Sequence, residues 1–119
     1  MVDDEETVLK LLKRSLEKSG YHVIAAVDGE QGLNLYKQNR SKIMLVITDM
    51  AMPGMDGPEF IAELRKADPF LKIICTTGYG VPSSPNDLAR LGVQACLAKP
   101  CNTPTMLETI QKTLTASHV

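Results

Sequence analysis

The chain has 119 residues, 44% of them hydrophobic and 23% charged, which suits one globular domain with a modest core and excludes a disordered or fibrous chain. With 13 basic residues against 14 acidic and a pI near 6.1, there is no global basic field, so direct nucleic-acid binding through bulk charge is not expected. No apolar stretch reaches the roughly 20 residues that span a bilayer, and no signal peptide is visible, because Met1-Val2 runs straight into Asp3, Asp4, Glu5 and Glu6.

Val2 is the remnant of an apolar strand that ends at Asp3 and Asp4. Val8, Leu9, Leu12 and Leu16 then recur at helical spacing, with acids at the start, bases later and Gly20 as the stop. His22–Ala26 reads as a second strand, and Asp28-Gly29 opens a helix whose apolar face carries Leu33 and Tyr36 and which fades by Arg40. Ile43–Thr48 is a short run of branched and apolar residues, the pattern of a strand buried on both faces. Gly57-Pro58 opens a third helix with Phe60, Ile61 and Leu64 inward, closed by Asp68-Pro69.

Lys72–Thr76 is a fourth strand, followed by a loop through Gly78, Tyr79 and Gly80. Ser84-Pro85 starts a short fourth helix with Leu88 and Leu91, stopped by Gly92. Ala95–Ala98 is a fifth strand, and Thr103-Pro104 begins a last helix with Leu107, Ile110 and Leu114 inward. Five strands alternating with five helices, without repeats or a linker, predict an α/β fold with a parallel sheet covered on both faces. The 3 cysteines are odd in number and lack CxxC spacing, so Cys75 and Cys96 are expected as buried thiols rather than metal ligands or redox groups. His22 and His118 are far apart, which argues against a histidine metal site. A reducing cytoplasm suits this cysteine usage.

In open parallel sheets, ligands bind beyond the carboxyl ends of the strands. Those ends carry Asp3 and Asp4, Asp49, Thr77 and Lys99, so all five are expected at one edge. Taken singly, each has a plain explanation. Asp3 or Asp4 would cap the helix that follows, Asp49 would cap the Met-Pro-Gly turn, Thr77 would satisfy a glycine turn, and Lys99 would be solvated. Taken together, carboxylates crowded at one edge repel, and a divalent cation with Lys99 offsets their charge.

The sequence V-I-T-D-M-A-M-P-G-M-D-G around Asp49, with Asp3-Asp4, Thr77-Gly78 and Lys99-Pro100 in order at strand ends, resembles the receiver domain of two-component response regulators along essentially the whole chain, 1–119. The resemblance implies a flavodoxin-like five-stranded parallel sheet of order 2-1-3-4-5 with helices on both faces. It also implies that Asp49 accepts a phosphoryl group from a phosphohistidine on a histidine kinase or phosphotransfer protein. By the same resemblance Asp4, Asp49 and the Ala51 backbone carbonyl hold Mg²⁺, Asp3 sits in the outer shell, and Thr77 and Lys99 bind the phosphoryl oxygens. Relatives have a cis bond at this Lys-Pro, which Lys99-Pro100 permits. Such a domain is not an enzyme beyond its own phosphorylation and dephosphorylation.

Several positions depart from the family pattern or vary within it. Receivers usually carry an aromatic residue three before the lysine, where this chain has Cys96; Tyr79, two after Thr77, is the nearest substitute. Ala51 and Tyr79 flank the expected path of the attacking water, and neither suits it, so slow self-dephosphorylation is expected. Only Met1 and Val2 precede the acid pair, fewer than in relatives, which suggests a domain excerpt. The T-T-G-Y-G stretch resembles receivers attached to hybrid sensor kinases. The expected output surface is Asp87–Leu91, Val93–Leu97 and the outer face of the last helix, able to dimerise or dock on a downstream protein. No output domain is expected within the chain. Two other readings stay open: a receiver-like scaffold that docks partners without phosphorylation, and an aspartyl phosphatase or phosphotransferase. The latter lacks the D-x-D-x-T pattern at Asp49-Met50-Ala51.

Overall fold

The computed structural model describes residues 1–3, 5–50, 57–77, 92–98 and 103–115, with the backbone alone for Gly57, Thr77 and Ala98. Along them run α1 (Glu6–Lys18), α2 (Gly29–Gln38), β1 (Leu45–Asp49), α3 (Gly57–Ala67), β2 (Lys72–Thr77), β3 (Ala95–Ala98) and α4 (Thr103–Thr115). The short fourth helix expected after Ser84-Pro85 lies outside the described residues.

The three strands form a parallel sheet in the order β1-β2-β3, with Leu45 opposite Lys72 and Asp49 opposite Thr76. On the other edge of β2, Ile74 faces Ala95 and Thr77 faces Ala98. Two expected strands are reduced to bridges. Val2 pairs in parallel with Ala26 on one side and Thr48 on the other, and His22–Val27 forms no strand beyond Ala26. The pairing rests on four backbone bonds: Val2 N to Ile47 O at 2.8 Å, Asp49 N to Val2 O at 2.9 Å, Ala26 N to Met1 O at 2.9 Å and Asp3 N to Ala26 O at 3.1 Å.

Strand alternation divides the core in two, as period-2 side-chain geometry requires. Val46, Ile73 and Cys75 pack with Tyr36 of α2 and with Phe60, Ile61 and Leu64 of α3. Ile47 and Ile74, on the opposite face, pack with Leu16 of α1 and with Met106 and Ile110 of α4. Met106 is the fully buried anchor of α4, whereas Leu107 and Leu114, expected inward, are partly buried against it. Leu114 also presents its carbonyl to Lys72 Nζ at 3.1 Å, tying the last turn of α4 to the start of β2.

Local chemistry fixes the ends of the helices. Asp28 accepts from Gln31 N at 2.7 Å while Gln31 Oε1 accepts from Val27 N at 2.9 Å, a reciprocal arrangement that satisfies two amides at the start of α2. At the far end of α3, Arg65 donates to the carbonyls of Pro69 at 3.2 Å, Leu71 and Gly92 at 2.7 Å. One guanidinium thus joins α3 to the entrances of both β2 and β3. Gly92 adopts φ +72, a left-handed conformation natural to glycine.

Gly32 sets how closely α2 approaches the sheet. A Cβ there would lie 2.8 Å from Val2 Cγ2 and 3.1 Å from Phe60 Cζ. Gly32→Ala is therefore expected to destabilise the fold by about 1–3 kcal/mol through overpacking, against a gain of roughly 0.5–1 kcal/mol in helix propensity. Urea unfolding checks it, and an unchanged or raised midpoint would show that α2 can move away freely. A second expectation concerns Tyr36, whose hydroxyl faces Asp68 Oδ2 at 3.5 Å. Burial first, then the Asp68 charge, raises its pKa above 10.0. That contribution to stability is fully present below about pH 10, where the unfolded phenol is neutral, and is lost as pH rises through the raised folded value. Urea midpoints measured at pH 8 and above pH 10 should fall less steeply in Tyr36→Phe than in the wild type.

Candidate phosphoacceptor and metal site

The site is built by strand pairing rather than by any one motif. Val2 lies beside Thr48, so the next residues on the two segments, Asp3 and Asp49, stand side by side at the carboxyl edge of the sheet. Asp49 is opposite Thr76 on β2, and Thr77 is opposite Ala98 on β3, one residue before Lys99. The parallel register therefore delivers acid, acid, threonine and the approach to the lysine along one edge.

Both carboxylates are buried, Asp3 at 5% exposure and Asp49 at 4%. Their backbones are held from both sides: Asp3 N donates to Ala26 O at 3.1 Å, and Asp49 N to Val2 O at 2.9 Å. Asp3 Oδ1 accepts from Glu5 N at 2.9 Å, so Asp3 also performs the local turn-capping role open to a lone acid at this position. α1 takes Glu5 as its N-cap, without a side-chain cap bond.

Two residues of the edge carry no motif of their own in the sequence. Thr48, fully buried, donates from Oγ1 to the Asp49 carbonyl at 3.0 Å. Thr76, also buried, gives its carbonyl to Met50 N at 3.0 Å. These bonds fix the chain as it leaves β1. Thr76 becomes part of the edge through its register opposite Asp49, which strand pairing sets and no local motif announces.

Asp4, Ala51, Tyr79 and Lys99 lie outside the described residues, and Thr77 is placed by its backbone alone. Among the described residues no cluster of three potential metal ligands occurs. The pair Asp3 and Asp49 nevertheless supplies hard oxygen donors, buried and adjacent, which suits a small hard divalent cation such as Mg²⁺ over a soft metal.

Cys96 is corrected by the structure. It is exposed, whereas Cys75 is buried. The reason is its position: β3 lies at an edge of the described sheet, and α4 covers the face of Ala95 and Leu97, leaving Cys96 on the other face. Burial and the neighbouring Cys96 push the Cys75 thiol well above its usual range.

The chain belongs to the response regulator receiver domain family, whose sequence profile matches residues 1–111. It is 37% identical over 119 residues to the transcriptional regulatory protein GlrR of Escherichia coli strain K12, covering 98% of this chain and 26% of that protein. It is 31% identical over 114 residues to sporulation initiation phosphotransferase F of Bacillus subtilis, covering 96% of this chain and 90% of that one. The structure matches that of the CheX-CheY-BeF3-Mg complex from Borrelia burgdorferi with a TM-score of 0.88 at 25% identity, over 97% of this chain and 87% of the other. The fold is thus the α/β, parallel-sheet architecture of CheY-like receivers, and the domain is one used in phosphorylation-based two-component signalling. The chain spans about a quarter of the length of GlrR. Among the described residues no helix is long and apolar enough to cross a membrane.

Proposed function

We propose that this domain is a phosphorylation-controlled switch in which Asp49 is the phosphoacceptor. The observation that carries the reading is the burial of Asp3 and Asp49 side by side at the carboxyl edge, in register with the threonine end of β2. An Asp49 carboxylate oxygen attacks the phosphorus of a phosphohistidine on a kinase or phosphotransfer protein. A P–O bond forms as the P–N bond breaks, and the departing imidazole nitrogen takes up a proton. The relatedness to a sporulation phosphotransferase supports a phosphorelay partner of this kind.

Asp4, Asp49 and the Ala51 carbonyl, with Asp3 outside them, are the groups that would hold Mg²⁺, and the Mg²⁺ of the Borrelia complex supports that choice. When bound, the cation offsets the carboxylate charge and that of the incoming phosphoryl oxygens. Lys99 pairs with those oxygens as a point charge, and Thr77 offers its hydroxyl. We further propose that the two segments bridged at Val2 and Ala26 take the places of the first and second strands in the receiver order 2-1-3-4-5. Covalent phosphate adds about two negative charges and three acceptor oxygens. Its pull on Thr77 shifts the segment 78–91 and with it the face of β3 and α4, which docks a downstream protein or a second copy. The domain acts in the cytoplasm, and its only catalysis is on itself.

The docking-scaffold alternative is favoured by one observation, Cys96 at the usual aromatic switch position. Intact mass after incubation with acetyl phosphate separates the two. The wild type should gain one phosphoryl group when Mg²⁺ is present, and Asp49→Asn should gain none. A folded wild type that gains nothing would contradict the switch and leave the scaffold. The aspartyl phosphate should decay slowly, because the Ala51 side chain offers no polar atom to the attacking water. Ala51→Asn is expected to speed decay roughly five- to tenfold, the worth of about one hydrogen bond; an unchanged decay rate would contradict this.

A further inference from the structure

Cys75 and Cys96 are directly opposite each other on β2 and β3. Residues paired in this way point to the same face of a sheet, and neighbouring strands lie about 4.8 Å apart. That spacing falls within the roughly 4.4–6.8 Å between Cα atoms that a disulfide spans. The two thiols differ sharply in access, one exposed and one fully buried. We propose that Cys75 and Cys96 form a thiol–disulfide modification site, oxidised by a low-molecular-weight disulfide to a reversible cross-strand bond between β2 and β3.

The division of labour follows from exposure. The Cys96 thiolate attacks the small disulfide, forms a mixed disulfide and releases one small thiolate. The Cys75 thiolate then attacks the Cys96 sulfur, forming the cross-strand bond and releasing the second small thiolate. The protons given up by the two cysteines are taken by the two leaving thiolates, so the protein pair is oxidised and the reagent reduced by two electrons.

The high pKa of Cys75 has burial as its first cause, with Cys96 contributing by hydrogen bonding and by charge. Conversion of Cys96 to a mixed disulfide removes its charge and weakens it as the acceptor of the Cys75 S–H, which eases ionisation of Cys75 at the step that needs it.

The location gives the bond a consequence that rests on the switch reading above. Cys75 immediately precedes Thr76 and Thr77, and Cys96 lies three residues before Lys99. A covalent link there fixes the end of β2 to edge strand β3, where the aromatic residue of other receivers would move. The chemistry itself is independent of phosphorylation.

The test is a titration of the whole chain in reduced and oxidised glutathione, quenched with acid and read by intact mass and peptide mapping. The native protein should lose two hydrogens and yield a single linked peptide pair, Cys75 with Cys96, that dithiothreitol reverses. Cys101→Ser should behave the same way. Folded Cys75→Ala should instead accumulate a glutathione adduct at Cys96. A wild type that retains glutathione on Cys96 without closing the bond, or that links Cys101, or that oxidises only in denaturant, would overturn the proposal. Mapping on the wild type decides the matter even if Cys75→Ala does not fold, and neither result depends on whether Asp49 accepts phosphate.

Discussion

The pairing of Val2 between Ala26 and Thr48 is the constraint on which the site depends. A parallel ladder aligns strand ends as well as strand centres, so two bridges through one residue are enough to place Asp3 beside Asp49. Removing two carboxylates from water is expensive unless their charge is compensated. The fold accepts that cost because the same sheet buries Ile73, Ile74 and Cys75 completely between two helical layers. Stability generated in the middle of the sheet supports the burial of the acid pair at its edge, the edge proposed here to carry the phosphoryl chemistry.

The connections around β2 show how the edge is kept in register. Arg65 binds carbonyls at the entrances of β2 and β3, and Gln94 exchanges bonds with Ile73, its Oε1 accepting from Ile73 N at 2.7 Å and its own N–H donating to Ile73 O at 2.9 Å. Lys72 holds the end of α4 from the other face. All three act at the amino-terminal end of the strands, opposite the functional edge. The strands are therefore tied together by side chains at one end, while backbone bonds and the Thr48 hydroxyl hold Asp3 and Asp49 in place at the other. A disulfide between Cys75 and Cys96 would add a second pin near the working end.

Much of this is legible in the sequence because strands and helices differ in hydrophobic period. The runs at Leu45–Asp49 and Lys72–Thr77 and the stripes of α1, α3 and α4 can be read directly, with strand ends displaced by one or two residues. The acids are legible because each interrupts an apolar run. His22–Ala26 reads as a strand from β-branched composition, yet among the described residues it pairs through a single bridge, Ala26 with Val2, and pairing is a long-range property that composition does not reveal. Gly32 is invisible for a related reason: its role lies in contacts with Val2 and Phe60, one of them distant in sequence from the other. Cys96 reads as buried because its neighbours are apolar, but on an edge strand alternate residues face different cover, and only the placement of α4 shows which face is protected.

The most direct test of the central claim, that the buried acid pair forms a cation-dependent phosphoacceptor edge, is the unfolding midpoint as a function of Mg²⁺ for the wild type, Asp49→Asn and Asp3→Asn. Ligand that binds only the folded state stabilises it by RT ln(1 + [L]/Kd), or about 2.7 kcal/mol at a hundredfold excess over Kd. The account predicts a saturable rise in the wild type, a weaker one in Asp3→Asn and none in Asp49→Asn. An equal response to Mg²⁺ in all three proteins would contradict it.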